Sequence, residues 1–499
     1  MERFFDEFFR VHPVKSVRML EIFPPLLSVF LITLPFWGAW AFPVQLAYFI
    51  IFFDLYWLYK SIFLAFYSYV ATQKIKRAEK EDWFEKAHSL VSFDKIAHLL
   101  IIPNYKESAE KLSSTIDALK AQTIPLEKLH VCIAMEEREK EAGDREKEIE
   151  RLYKGVFGTL MFTHHPEVQG EVAGKSSNQA FAVQKAYDLL VNKKKIDLDF
   201  ITVSSVDADT IFDHQFFSYL SHSFLTSSDP HYKFWQSANV SYNNFWKVPT
   251  FTRIIAFFGS LYRTSLLVQH LRLIPNSTYS LSLKLLKQIG YWDTDVIPED
   301  YRIFFKAFFK TGGKVSVDPI FLKTSMDSAH SHTYVKSLVN RYNQERRWAW
   351  GISDDAIYLK WWLSVKNIPF LRKTYLVGSV LMDHVLWPVN WYIITISANL
   401  VVFLNPVFTR TSLGYNLPKL SGFILTVCLI SLVMMMYVDF HLRKSEKGAK
   451  TPKWRQWIFP LEFISMPISG FLLSSLPAMI SHIQLIIGKK LEYKVTEKV

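Results

Sequence analysis

From Ile22 to Phe53 the chain carries no charged residue. A run of that length exceeds the roughly 20 apolar residues that cross a bilayer. From Thr374 to Arg410 the only acid is Asp383, so a second such region lies near the other end. Between them, about residues 75 to 372, the composition is that of a water-exposed domain. The 499-residue chain therefore reads as a membrane protein with one large polar domain between two hydrophobic ends.

The sequence predicts spans near 22–42 and 44–70, joined at Phe42-Pro43, with Asp54 and Lys60 interrupting the second. Lys60 fits a snorkelling role as well as a functional one. It also predicts one long span at 375–404 and another at 420–438. The last apolar run, 458–488, holds Pro467 and Pro477 and fits a short hairpin or one span plus an interfacial helix. The expected total is four to six. The segment 356–373, in which aromatic bulk alternates with Lys and Arg, is expected to lie as an amphipathic helix in the membrane surface.

The net charge is +12, the usual signature of a nucleic-acid binder. Here the basic residues flank the apolar runs. Lys74, Lys76, Arg77 and Lys80 follow the second span. Arg443, Lys444, Lys447, Lys450, Lys453 and Arg455 sit between two others, opposed only by Glu446. That is the positive-inside pattern, which puts the polar domain in the cytosol with membrane lipids as neighbours and no nucleic-acid partner. The two cysteines, Cys132 and Cys428, give no disulfide framework, in keeping with a reducing compartment. Glu2, Asp6 and Glu7 stand where a cleavable signal would be basic.

Within the polar domain, "HLLIIPNY", "LHVCIAM" and "DFITVSSVDAD" are short β-branched runs that end in polar turns, the pattern of buried strands. The helix-prone stretches "EREKEAGDREKEIERLYKGV" and "NQAFAVQKAYDLLV" separate them. This alternation predicts an α/β fold with a parallel sheet covered on both faces. Ligands of such sheets bind beyond the carboxyl ends of the strands, so the chemistry should lie in the turns.

Four features there carry chemistry. "GEVAGKSSN" (170–178) imitates a phosphate-binding loop, but G-x4-G-K-[ST] needs four residues between its glycines and only three separate Gly170 from Gly174. What survives is Lys175, able to approach an anion. Asp207 and Asp209 in "SSVDADT" follow a β-rich run, where two carboxylates can face a hard cation; alone, such a turn is more often merely solvated. Glu299 and Asp300 in "VIPEDYRIFFK" suit a helix N-terminus or a general base. Gln344, Arg347 and Trp348 in "RYNQERRWAWG" share one helical face, bringing an amide, a guanidinium fork and a ring platform together. His164, His165, His330 and His332 lack the cysteine partners of a zinc set and read as ordinary histidines.

In order, "IIPNYKE" (101–107), "GKSSN", D-A-D, E-D and Q-E-R-R-W resemble the family 2 membrane glycosyltransferases, the group that includes cellulose, chitin, hyaluronan and glucosylceramide synthases. The resemblance extends to a tail, "IIGKKLEYKVTEK" (486–498). It implies a GT-A, Rossmann-like domain at 76–340. Two N-terminal spans fill 1–75, the Q-x-x-R-W and interface helices 341–373, and C-terminal spans and tail 374–499. It implies that Pro103, Tyr105, Glu107, Lys175 and Asp207 line the nucleotide-sugar site. Asp207 and Asp209 would hold Mg or Mn. Asp300, beside Glu299, would be the base, and Gln344, Arg347 and Trp348 would serve the acceptor and diphosphate. Where relatives carry an Asp at the second strand end, this chain has Glu136, leaving a UDP-sugar the expected donor. The reaction implied is inverting transfer to a growing polysaccharide, the alternative being one sugar placed on a lipid. "SANVSYNNFW" (237–246) and "PNSTYS" (275–280) are expected to shape the acceptor side.

Overall fold

A computed structural model describes residues 13–444 and 453–491. Glu2, Asp6, Glu7, Glu446, Lys447, Lys450 and the tail from residue 492 lie outside these.

The three expected strands form and pair in parallel: β1 (Ala97–Pro103) lies between β2 (Leu129–Glu136) and β4 (Ile201–Ser205), and β3 (Thr159–His165) extends the sheet beyond β2. The side chains of β1 and β2 alternate between two cores. In β1, Leu99 and Ile101 face one cluster, and Leu100 and Ile102 the other. Helices Ala109–Lys120 and Ala142–Tyr153 cover one face and Lys175–Tyr187 the other.

The sheet is not wholly parallel, which corrects the prediction. Its order is β3-β2-β1-β4-β7-β6-β8-β5. Strand β7 (Tyr279–Ser282) runs antiparallel to both β4 and β6 (Lys233–Val240), and β5 (Ile211–Phe212) runs antiparallel to β8 (Ser316–Ser325). The helix Glu299–Lys310 lies against this second half, through Phe304 on Phe234.

Among the described residues four helical runs are long and apolar enough to cross a membrane: Val14–Ala41, Pro43–Ala78, Ser412–Lys444 and Trp454–Ile486. The predicted single span at 375–404 is instead a pair, Phe370–Leu386 and Asn390–Leu404, bent by 53°. Pro388 causes the break: it has no N–H, and its ring collides with the preceding turn. The predicted surface helix at 356–373 is likewise two pieces, Asp355–Ser364 and Phe370–Leu386. The first packs inward, because Tyr358 is buried and stacks on Phe305 with centroids 4.1 Å apart.

The last apolar run is held by the sheet domain at both ends. Near its start, Arg253 pairs with Glu462 and Phe463 packs on Phe257, centroids 4.8 Å apart. Near its finish, Ser481 Oγ donates to the carbonyl of Arg346 at 2.6 Å. Its middle packs on the bent pair, and Gly470 permits the approach, since a Cβ there would meet the Trp391 ring at 2.1 Å.

A buried histidine gives the sheet domain a pH-sensitive element. His98 on β1 is fully enclosed; its ring nitrogens lie 2.7 Å from Thr202 Oγ1 and 2.8 Å from Ser221 Oγ. Burial pushes its pKa down to about 3 from 6.5. A depressed histidine stabilises the fold above the unfolded pKa, and this is lost as pH falls towards the folded one. Between pH 7 and 5 the expected loss is about 2 kcal/mol from His98. Thermal unfolding across that range checks it: His98→Gln should flatten the slope, and an unchanged slope would place the sensitivity elsewhere.

Candidate active site

The polar turn at the carboxyl end of β4 meets the N-terminus of the helix Glu299–Lys310 through Lys175 and Ser277. Lys175 opens its own helix, Lys175–Tyr187, and turns its ammonium across the gap. Its Nζ lies 2.7 Å from Asp207 Oδ1, 2.9 Å from Glu299 Oε1 and 2.8 Å from the carbonyl of Ser277. The Glu299 contact is an ion pair without hydrogen-bond alignment. Burial alone would lower the lysine's pKa, but the Asp207 and Glu299 carboxylates outweigh it and hold the ammonium charged. Burial raises Glu299 to about 7 despite that cation.

Ser277 is the residue that sequence reasoning missed. Its backbone sits at φ 57, a left-handed conformation uncommon outside glycine. From there its hydroxyl donates to Asp207 Oδ2, its N–H donates to Asp300 Oδ2 at 3.0 Å, and its carbonyl receives Lys175. One strained residue thus fixes the spacing of Asp207 and Asp300. The only sequence signal was its place in "PNSTYS", which lines the acids as well as any acceptor. Burial raises the Asp300 carboxyl above its usual value, against the opposing N–H groups of Ser277 and Tyr301 and the charge of Lys175.

Asp209 ties in the segment that follows β8. It is buried, and its Oδ2 accepts the Asp327 N–H at 2.7 Å. Among the described residues no group of three or more His, Cys, Asp or Glu side chains is placed to hold a metal. Asp207 and Asp209 nevertheless fit Mg or Mn, which bind hard oxygens and take much of their coordination from phosphate and water.

The nucleotide-side residues come together at the ends of β1 and β2. Glu107 Oε2 accepts the Tyr105 N–H at 2.8 Å, beside Pro103. Glu136 is buried and paired with Arg138, whose guanidinium stacks 4.2 Å over the Tyr105 ring. Arg138 was not anticipated.

Gln344, Arg347 and Trp348 lie on one helix, Tyr334–Ala349, as expected. Gln344 is buried and accepts from Arg341 Nη1 at 2.7 Å. Arg341 also pairs with Glu345 and stacks 4.9 Å over Trp348. The next turn, Trp350–Asp354, docks on the E-D segment: Ile297 packs with Trp350 and Ile352, and Arg302 pairs with Asp354. The Q-x-x-R-W helix and the E-D acids are thus coupled through packing.

The mixed sheet gathers buried acids and a charged lysine at its strand ends. Residues 202–438 match the family model for glycosyl transferase family group 2. The match runs from β4 into Ser412–Lys444 and takes in D-x-D, E-D and Q-x-x-R-W, and the chain is a glycosyltransferase. No curated protein matches it. Among solved structures it is similar to the Pyrobaculum calidifontis mannosyltransferase PcManGT in complex with GDP-Man and Mn2+. Identity is 14% over 80% of this chain and 100% of that one, with a TM-score of 0.41. It is also similar to S. aureus TarS 1–349 in complex with UDP, at 13% identity over 70% of this chain and 92% of that one, with a TM-score of 0.36.

Proposed function

We propose that the chain is an inverting membrane glycosyltransferase taking its sugar from a nucleoside-diphosphate donor, a UDP-sugar first. The observation that supports this reading is the junction at Ser277, whose N–H bonds Asp300 and whose hydroxyl bonds Asp207. Asp300 accepts the proton of the acceptor hydroxyl as its oxygen attacks the anomeric carbon. The sugar–diphosphate bond breaks on the opposite face, so an α-linked donor gives a β-linked product. Lys175 offers positive charge to the departing diphosphate. Asp207 and Asp209 would hold Mg or Mn, which would neutralise that diphosphate. Tyr105, Glu107 and Glu136 form the nucleotide end, joined by Arg138. Gln344, Arg347 and Trp348 flank the acceptor.

The spans carry the domain at the cytosolic face. Val14–Ala41, Pro43–Ala78, the bent pair and Ser412–Lys444 cross, an even number that keeps the basic segment from Arg443 to Arg455 on the domain's side. The acceptor hydroxyl belongs to the end of a growing polysaccharide or to a lipid.

Purified protein incubated with a panel of nucleotide sugars is expected to release nucleoside diphosphate from one donor and from few others. Release from none would mean a sensor with a dead site.

A further inference from the structure

The bend in the pair Phe370–Leu386 and Asn390–Leu404 falls beside the catalytic acids. His384, one residue after Asp383, lies under Tyr301, the neighbour of Asp300, with rings 6.4 Å apart and nearly parallel. Irregular backbone in a membrane segment occurs where it is buried in protein or lines a polar cavity. Asp383 there accepts from Tyr262 Oη at 3.2 Å and pairs with Arg272 Nη2 at 2.6 Å. The Tyr262 hydroxyl ties this ion pair to the helix Thr250–Leu266.

A second cation approaches from the helix Pro43–Ala78. Lys60 lies within electrostatic range of Asp383 and Arg272. Among the described residues it has no ion pair within 4.0 Å, only the ring of Tyr56 at 5.7 Å. Its position along the helix puts it about 25 Å from the Phe42-Pro43 turn, at 1.5 Å per residue. Against a hydrocarbon core of about 30 Å, its ammonium reaches the headgroup level on the domain's side. Two cations thus face one carboxylate at phosphate depth, next to the base. Snorkelling explains the depth of Lys60 but not its convergence on Arg272.

We infer that Lys60 and Arg272 hold the phosphate of a lipid headgroup whose free hydroxyl is the acceptor. This rests on the sugar transfer proposed above. The headgroup O–H bond breaks and its proton passes to Asp300. The oxygen forms the new bond to the anomeric carbon. The electron pair of the old carbon–oxygen bond leaves with the nucleoside diphosphate. A bare polysaccharide end has no use for the two cations, and a phosphate without a hydroxyl has no proton for Asp300.

The test uses the full chain in phosphatidylcholine nanodiscs with its preferred nucleotide sugar. The discs carry phosphatidylglycerol, which has both phosphate and hydroxyl, or diacylglycerol, which has the hydroxyl alone. Glycerol 3-phosphate in solution forms a third arm. The expected product is glycosylated phosphatidylglycerol. Lys60→Gln should raise KM for that lipid at least about fivefold, with Lys60→Arg close to wild type. Arg272→Gln/Asp383→Asn removes the second cation without stranding its carboxylate and should act in the same direction. Equal use of diacylglycerol, equal use of glycerol 3-phosphate, elongation of a water-soluble polysaccharide in undoped discs, or an unmoved KM in both variants would overturn the inference. If the wild type released no nucleotide from any donor, the transferase reading itself would fail.

Discussion

Asp300→Asn is expected to lower sugar transfer by about 10³-fold or more while leaving donor binding close to wild type. The magnitude follows from the work assigned to the carboxylate, since a positioned general base contributes about 10²–10⁴-fold and an amide cannot take up the proton. The fold should tolerate the change. The two Asp300 oxygens accept from the N–H groups of Ser277 at 3.0 Å and Tyr301 at 2.9 Å. Asparagine keeps one acceptor and loses one modest bond, worth about 1 kcal/mol. The pH profile separates loss of the base from general damage. Because burial raises the Asp300 carboxyl, wild-type transfer should fall with acidification at a pH above the ordinary carboxylate range, as the base becomes protonated. The residual rate of Asp300→Asn should lack that limb. Rate and donor affinity, measured side by side from pH 5 to 8, decide it. Near-wild-type turnover would remove Asp300 from the reaction, and equal losses in turnover and donor affinity would make it a structural acid.

The donor half of the fold was legible because its strands obey a simple rule. β1 and β2 are apolar on both faces and β4 is buried on both, and such strands read as short continuous runs. The half towards the acceptor was not, because its strands carry the site's own scaffolding. β6 buries Gln236 and Asn239; the amide of Gln236 bonds the Thr278 carbonyl at 3.2 Å and that of Asn239 the Asn276 carbonyl at 2.6 Å. A polar strand whose partners lie far along the chain shows no period, and Pro319 inside β8 argues against a strand at all. The bend at residue 388 was visible in its proline, but hydropathy alone read through it. D-x-D and E-D stand out in the sequence, but the spacing of Asp207 and Asp300 is set by Ser277, whose left-handed backbone no local pattern announces.

Arg302→Met is expected to destabilise the protein by about 3–5 kcal/mol, the usual cost of leaving a buried charge without its partner. The guanidinium grips Asp354 with two bonds, Nη2 to Oδ1 at 2.7 Å and Nε to Oδ2 at 3.1 Å, and both side chains are buried. Burial raises the Asp354 carboxyl even against this partner, so removing the arginine strands an acid that water cannot reach. The double variant Arg302→Met/Asp354→Leu exchanges the pair for apolar volume and should recover most of the loss, because a buried ion pair adds little over well-packed hydrophobic residues. Activity should not recover with it. The pair joins the helix that begins with Glu299 and Asp300 to the turn that follows Gln344, Arg347 and Trp348. Two directional bonds fix that angle, whereas Met against Leu fixes only a distance. In the double variant, KM for the acceptor should therefore rise while donor affinity and thermal stability stay near wild type. Unfolding curves and the two affinities, measured on both variants, separate the roles. A double variant as unstable as Arg302→Met alone would show a need for the charges themselves. One restored in both stability and acceptor KM would show that this contact holds the fold together without setting the geometry of the reaction.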